Sequence, residues 1–368
     1  MTKRLVSQLA RVGALALSAM LIASGCSTEP SSSAPGATSA TASTTRYPLG
    51  TPIVVTPHNF ARAETDRMFA RLSSRQGIGA IEHSRSLTSI DKQDVIRMNR
   101  DTLYSNAVVD LDAGPATVRL PDPGGRFMSM AVIDEDHYIP IPLAYGAGEY
   151  TISRDRVSTR YAAIIVRIFV DPNSPDDQKA ANQLQDRISL EQKSRGVFEA
   201  PQWDKASQDR VRTALLGLAA TITDTRKMFG PRNEVDELDH LLGVAAGWGG
   251  NPAKDATYFR VAVPDDSGRT AYRMRLAKEV PADAFWSVSV YNAQGYFDKN
   301  PRDAYTINNV TAARNPDGSV DVQYGACENG APNCLPIGPG WNVTLRLYRP
   351  RESALDGAWR PPSLEPLG

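Results

Sequence analysis

Residues 161–170 of this 368-residue chain read YAAIIVRIFV, the most apolar run beyond the N-terminal leader. Ten residues dominated by Ile, Val and aromatic side chains read as a buried β-strand. The run closes a β-like block that starts near Val95. Inside that block lie Thr117-Val118-Arg119-Leu120 and Arg126-Phe127-Met128-Ser129-Met130-Ala131-Val132-Ile133, separated by the turn-rich Pro121-Asp122-Pro123-Gly124-Gly125. A helix precedes the block. Thr56-Pro57 supplies an N-cap with Pro at the first helical position, Phe60, Met68, Phe69 and Leu72 form its apolar side, and Gly77 closes it.

Residues 173–250 read as a helical insert. Ser174-Pro175-Asp176-Asp177 offers an N-cap, Pro at N1 and acids where the helix dipole favours them. Ala180, Leu184, Ile188 and Leu190 follow at near-helical spacing, and a second helix is expected over about 207–222. From Tyr258 to Tyr348 strands return, with alternating apolar and polar residues as in half-buried antiparallel sheets. Asn315-Pro316-Asp317-Gly318 is a hairpin-turn signal among them. The fold class is mainly β with an α-helical insert, and the strand spacing suggests a sandwich or jelly roll.

The first 26 residues follow secretory grammar. Lys3, Arg4 and Arg11 are basic, and residues 12–23 are almost wholly apolar or small. That run is too short to span a bilayer but suits a signal peptide. Leu21-Ile22-Ala23-Ser24-Gly25-Cys26 resembles a bacterial lipobox, so Cys26 is expected to be lipidated and to anchor the protein to a membrane without a spanning helix. Residues 27–45 are nearly all Ser, Thr, Ala, Pro and Gly, the composition of a disordered tether of roughly 25 Å reach. The remainder divides into 46–172, an N-terminal helix plus β domain, the insert at 173–250, and a C-terminal domain at 251–368. Net charge is zero, and loss of the leader's three cations leaves −3. No basic stripe exists, so nucleic acid is not an expected partner.

Cys327 and Cys334 delimit an eight-residue loop. In an exported chain a pair this close is most simply a disulfide, with free or metal-bound thiols as the alternatives.

Asn99-Arg100-Asp101-Thr102-Leu103-Tyr104-Ser105 resembles the signature of the domain of unknown function DUF1254. Phe285-Trp286-Ser287-Val288, Tyr291-Asn292, Gly295-Tyr296-Phe297, Cys334-Leu335-Pro336 and Leu345-Arg346-Leu347-Tyr348-Arg349-Pro350 resemble its usual partner, the domain of unknown function DUF1214. Gly247-Trp248-Gly249-Gly250-Asn251-Pro252 fits the same pattern, so the likeness covers about residues 54–362. The resemblance implies an N-terminal immunoglobulin-like sandwich and a C-terminal jelly-roll sandwich around the helical insert. It brings no catalytic residues with it.

Chemistry must therefore be sought residue by residue. The chain has no Gly-x-Ser-x-Gly elbow and no paired-His zinc motif. Asp134-Glu135-Asp136-His137 follows a strong strand, and continued alternation would put Asp134 and Asp136 on one face as weak candidates for a divalent cation. A solvated turn is the plainer reading, and no metal or cofactor is expected. Asn99, Arg100, Asp101, Thr102 and Tyr104 are the foremost ligand-site candidates, with Asp101 a general base, Tyr104 a donor and His137 nearby if the protein is a hydrolase or lyase. Side-chain capping by Asn99 and Asp101 explains the same pattern without a ligand. Trp286, Tyr291, Asn292, Tyr296 and Arg346 form a second candidate set, suited to stacking on a sugar or aromatic ligand. The expected function is binding of a small molecule or carbohydrate at the cell envelope, with an envelope enzyme or a structural component as alternatives.

Overall fold

A computed structural model of the chain describes residues 47–93 and 96–368. The leader, the tether and Cys26 lie outside these described residues. The N-terminal part contains α1 (Phe60–Leu72), β1 (Glu82–His83), β2 (Thr102–Asp110), β3 (Ala116–Leu120), β4 (Met128–Asp134), β5 (Ala144–Tyr145), β6 (Gly148–Ile152), α2 (Arg154–Val157) and β7 (Tyr161–Phe169). The middle contributes α3 (Pro175–Gln185), β8 (Ser189–Gln192), α4 (Lys205–Ala219) and α5 (Glu237–Gly247). The C-terminal part adds β9 (Ala256–Val261), β10 (Tyr272–Leu276), β11 (Ala282–Tyr291), β12 (Thr306–Asn308), β13 (Val320–Tyr324), β14 (Cys334–Leu335), β15 (Asn342–Pro350), α6 (Glu352–Leu355) and β16 (Glu365–Pro366). The described chain is mainly β, and none of its helices is long and apolar enough to cross a membrane.

The apolar run identified from sequence is β7, the middle strand of an antiparallel sheet ordered β1-β2-β7-β4-β5. One face presents Leu103, Ala107, Met130, Val132, Ile164 and Val166 to a core shared with Val118 of β3 and Leu184 of α3. The other face presents Val108, Ile133, Ala163 and Ile165 to α1, α4 and α5, through Phe60, Phe69, Leu215 and Leu242. Apolar cover on both sides is why this strand reads as a continuous run and not as an alternation.

Two local expectations before the C-terminal part need correction. Thr56-Pro57 does not begin α1. The Asn59 side chain accepts the Thr56 amide at 2.7 Å, a turn forms over Pro57, and the helix starts after Asn59. A short polar side chain that bonds nearby backbone competes with helix at such a position. The insert is also not purely helical. α3 starts as expected, with the Ser174 hydroxyl accepting the Asp177 amide at 3.2 Å and Pro175 at N1. Leu190, however, belongs to β8, which pairs antiparallel with β3 in a sheet ordered β6-β3-β8. Leu190 packs on the core and Glu191 pairs outward with Arg119, so a two-residue period takes over from the helical one.

The C-terminal part holds two four-stranded sheets, β12-β11-β15-β9 and β14-β13-β10-β16. They share a core in which Trp286, Val288, Val343, Leu345 and Leu347 meet Met274, Leu276, Val320, Val322 and Tyr324. The Asn315–Gly318 turn forms, with Gly318 at φ +84° donating to the Asn315 carbonyl at 2.8 Å. It is not a hairpin, because β13 pairs with β10 and β14 and not with β12. Cys327 and Cys334 are joined in a disulfide. Closing a loop of this length stabilises by roughly 2.5 kcal/mol in the loop-entropy model.

Candidate functional site

Strand alternation builds a cavity between the N-terminal sheet and the sheet containing β9 and β15. On the helix-covered face of the N-terminal sheet, Tyr104 and Asn106 of β2 and Ile165 and Arg167 of β7 form one wall. The opposing wall is Tyr258 and Arg260 of β9 with Thr344, Arg346 and Tyr348 of β15. Their intervening neighbours Phe259, Val343, Leu345 and Leu347 point into the C-terminal core, so one face of each strand serves the core and the other the cavity. Register aligns Arg346 with Tyr258 and Thr344 with Arg260. Met228, Phe229 and Trp248 add apolar surface near α5. Exposed residues such as Ser84, Arg85 and Ser86 stand at the mouth, and the whole space is about 680 Å³.

Hydrogen-bond donors dominate its inner end. Arg167 is 6% exposed; its Nη2 donates to the Gly249 carbonyl, its guanidinium lies 5.7 Å from the Tyr104 ring centre, and its Nη1 has no partner. Arg346 is held by Ser289 Oγ at 3.0 Å, the Arg97 carbonyl at 2.9 Å and the Tyr291 hydroxyl at 2.6 Å. Arg260 donates to the Ala219 carbonyl at 2.9 Å. Burial, then the nearby charges of Arg260 and Arg346, push the Arg97 guanidinium down to about 10, and its Nε has no partner. Burial holds the Tyr258 and Tyr348 hydroxyls above their ordinary range, so both are neutral at physiological pH. Glu82 is the one carboxylate among the described lining residues, and Arg75 pairs with it at 2.9 Å.

The Asn99–Tyr104 signature divides between this cavity and the contact beside it. Asn99 and Tyr104 line the cavity, and Asn99 Nδ2 donates to the Tyr348 hydroxyl. Asn99 Oδ1 also accepts the Asp101 amide at 2.6 Å, the capping geometry weighed for this motif. Asp101 itself is fully buried away from the cavity lining. Its carboxylate accepts from Asn308 Nδ2 at 2.9 Å and Thr306 Oγ1 at 3.3 Å, tying the start of β2 to β12. Burial raises its pKa and the Asn308 hydrogen bond opposes the rise. Arg100 lies 5.0 Å from the Tyr305 ring centre and donates to the Thr88 carbonyl, while Thr102 is buried at the strand start.

In the second set only Arg346 reaches the cavity. Trp286 belongs to the C-terminal core, and Tyr291 is buried with its hydroxyl donating to the Met98 carbonyl at 2.7 Å. Asn292 and Tyr296 share a tight turn in which Asn292 Oδ1 accepts the Gln294 and Tyr296 amides.

The alternation expected through His137 stops at Asp134, the last residue of β4. Asp134 Oδ1 accepts the amides of Asp136 at 2.9 Å and Tyr138 at 2.8 Å, a side-chain-to-backbone turn. Asp136 pairs with Arg62 at 2.8 Å. No group of three or more His, Cys, Asp or Glu among the described residues is placed to hold a metal ion. His137, at φ +68°, accepts the Gly249 amide on Nε2 at 2.8 Å, so its proton sits on Nδ1, which has no partner. Burial, then His240, holds it well below the usual histidine range. It supports the Gly249 loop from behind, and no contact joins it to Asp101 or Tyr104. His83 meets Ser105 Oγ at 2.8 Å, but Ser105 is 1% exposed and also bonded by Gln185 at 3.2 Å, which leaves no nucleophile facing the cavity from this pair.

Sequence reasoning passed over Arg97, Arg167, Tyr258, Arg260 and Tyr348. A signal existed for one of them: Arg167 is the single charged residue in the ten-residue apolar run.

Family comparison agrees with the residues quoted from sequence. Residues 78–139 match the model of a protein of unknown function (DUF1254), and residues 256–352 that of a protein of unknown function (DUF1214). The chain carries both domains. The two cavity walls thus draw on both matched segments, with Tyr104 and Asn106 from DUF1254 and Tyr258, Arg260, Arg346 and Tyr348 from DUF1214. No curated protein matches the chain. The crystal structure of the VPA0106 protein from Vibrio parahaemolyticus is similar with a TM-score of 0.65 at 17% identity, covering 85% of this chain and 98% of that one, which is a likeness of fold. A putative uncharacterized protein from Burkholderia cenocepacia reaches a TM-score of 0.49 at 14% identity, covering 84% of this chain and 88% of that one.

Proposed function

We propose that this protein is an exported, lipid-anchored receptor that binds a small organic molecule, a sugar included, in the cavity between its DUF1254 and DUF1214 segments. The observation that carries the reading is the cavity itself. Its volume of about 680 Å³ lies within the range of roughly 300–1,000 Å³ typical of small-molecule sites, and its wall combines apolar and aromatic surface with a few convergent polar groups. We read the flanking β units as an immunoglobulin-like sandwich and a jelly roll, a rigid pair between which such a site is commonly built. The Cys327–Cys334 disulfide favours an oxidising compartment, as the leader and lipobox do.

Two experiments test the two halves of this proposal. Asn106 faces the cavity from β2, and Asn106→Trp is expected to fill it. A thermal-shift screen of sugars, aromatic acids and aliphatic acids should find molecules that raise the melting temperature of the wild type and do not raise that of Asn106→Trp. Equal shifts in both proteins would place binding elsewhere. Cys26→Ala should move the protein from the membrane fraction to the soluble fraction, and unchanged membrane association would remove the lipid anchor from the account.

A further inference from the structure

We propose that the ligand of this cavity is an organic carboxylate, whose charged head meets the guanidinia of Arg97, Arg167, Arg260 and Arg346 while its apolar body lies against Phe229 and Trp248. The inference rests on the cavity being a binding site and goes further by assigning the chemical class of the molecule. Four guanidinia line one space, none within ion-pair distance of a carboxylate among the described residues, and the Asp101 carboxylate outside the lining acts on Arg346 alone of the four as a more distant charge. The lining's own acid, Glu82, is already occupied by Arg75.

Arg167 and Arg346 are buried and Arg97 and Arg260 partly so, and cations crowded together with little counter-charge lose hydration and repel one another. The repulsion is visible at Arg97, which Arg260 and Arg346 disfavour as a cation. An arrangement of this kind is relieved by an anion entering from solution. Arg167 shows where. It lines the cavity, is nine-tenths buried and is locked through Nη2 to the Gly249 carbonyl, while its Nη1, closed to solvent, is left without a hydrogen-bond partner. The planar guanidinium fork matches a carboxylate with two parallel hydrogen bonds. Tyr258 pairs in register with Arg346, and its hydroxyl, which accepts the Asn251 amide at 3.1 Å, stays neutral and keeps its own proton to donate. A lone inorganic oxyanion would leave the apolar wall of Met228, Phe229 and Trp248 uncovered, which is why an acid with an apolar body fits the cavity better.

The test is isothermal titration of the full chain with matched pairs: benzoate, phthalate and octanoate against benzamide, phthalamide and octanamide, with inorganic phosphate as a separate arm. At least one acid is expected to bind tenfold or more tightly than its amide. Arg167→Met should weaken that acid by at least tenfold while leaving any affinity for the amide unchanged. Because Arg167 also holds the Gly249 loop, Arg97→Met is the second variant; its structural bonds run through its backbone, and it should weaken the acid several-fold at a melting temperature no lower than that of the wild type. Amides that bind as tightly as the acids and are lost in Asn106→Trp would overturn the carboxylate assignment and keep the binding reading. Phosphate binding alone would overturn it in favour of a simple oxyanion site. Failure of both acids and amides to bind the wild type would overturn the assignment, and the receptor reading beneath it falls only if the thermal-shift screen, sugars included, also finds no ligand.

Discussion

Asp101→Ala is expected to lower the free energy of unfolding by about 3 kcal/mol, and Asp101→Asn by about 1 kcal/mol or less. The difference follows from what the carboxylate does. It is fully buried and accepts hydrogen bonds from Asn308 and Thr306, which belong to β12 on the far side of the contact. Alanine leaves the Asn308 amide buried without an acceptor and opens a small void. Asparagine keeps an oxygen for Asn308 and removes an acid that burial already disfavours as an anion. Urea denaturation followed by tryptophan fluorescence measures both. Equal and large losses in the two variants would mean that the charge itself is needed, and a neutral Asp101→Ala would remove the clamp role.

His137→Asn is expected to cost about 2 kcal/mol at pH 8 and to flatten the loss of stability in acid. Asparagine tolerates the positive φ of this position but leaves a void among Phe229, Trp248 and His240. The pH effect has a definite sign. The folded pKa of His137 lies well below the unfolded value of about 6.5, so between the two the unfolded chain binds the extra proton. Its contribution is fully present above about pH 6.5 and is lost as pH falls through that window. Wild type should therefore lose more stability than His137→Asn between pH 8 and pH 5. Asp134, raised to about 8 by burial and then Asp136, and Asp66, raised to about 7 by burial and then Glu135, act in the opposite direction. Their stabilisation is present below pH 4 and lost as pH rises through 7 and 8, and because both variants contain them they cancel in the difference. Parallel pH profiles for the two proteins would show that His137 is not the buried neutral group described.

How much of this was legible in the sequence depends on the range of the interaction. The buried β7, the cap of α3 and the Cys327–Cys334 pair rest on local pattern, and each was readable. β8 was not, because four residues with one apolar side chain acquire a strand only from the partner edge that β3 offers. The same distinction divides the site. Asn99-Arg100-Asp101 stood out as a motif, yet sequence alone could not tell a side chain aimed into a cavity from one aimed at Asn308, 207 positions away. Arg260 and Arg346 sit in ordinary alternating strands, where a charge facing solvent and a charge facing an enclosed space leave the same pattern. Only the pairing of β9 with β15, set against β2 and β7, turns them into one cluster.

The most direct test of the cavity as the functional site is a crystal structure of the protein with the molecule that raises its melting temperature most. Density for that molecule is expected between Tyr104 and Arg167 on one wall and Tyr258 and Arg346 on the other, with the Asn99–Tyr348 and Asp101–Asn308 contacts intact. A molecule bound outside this space, with the cavity holding only water, would contradict the account.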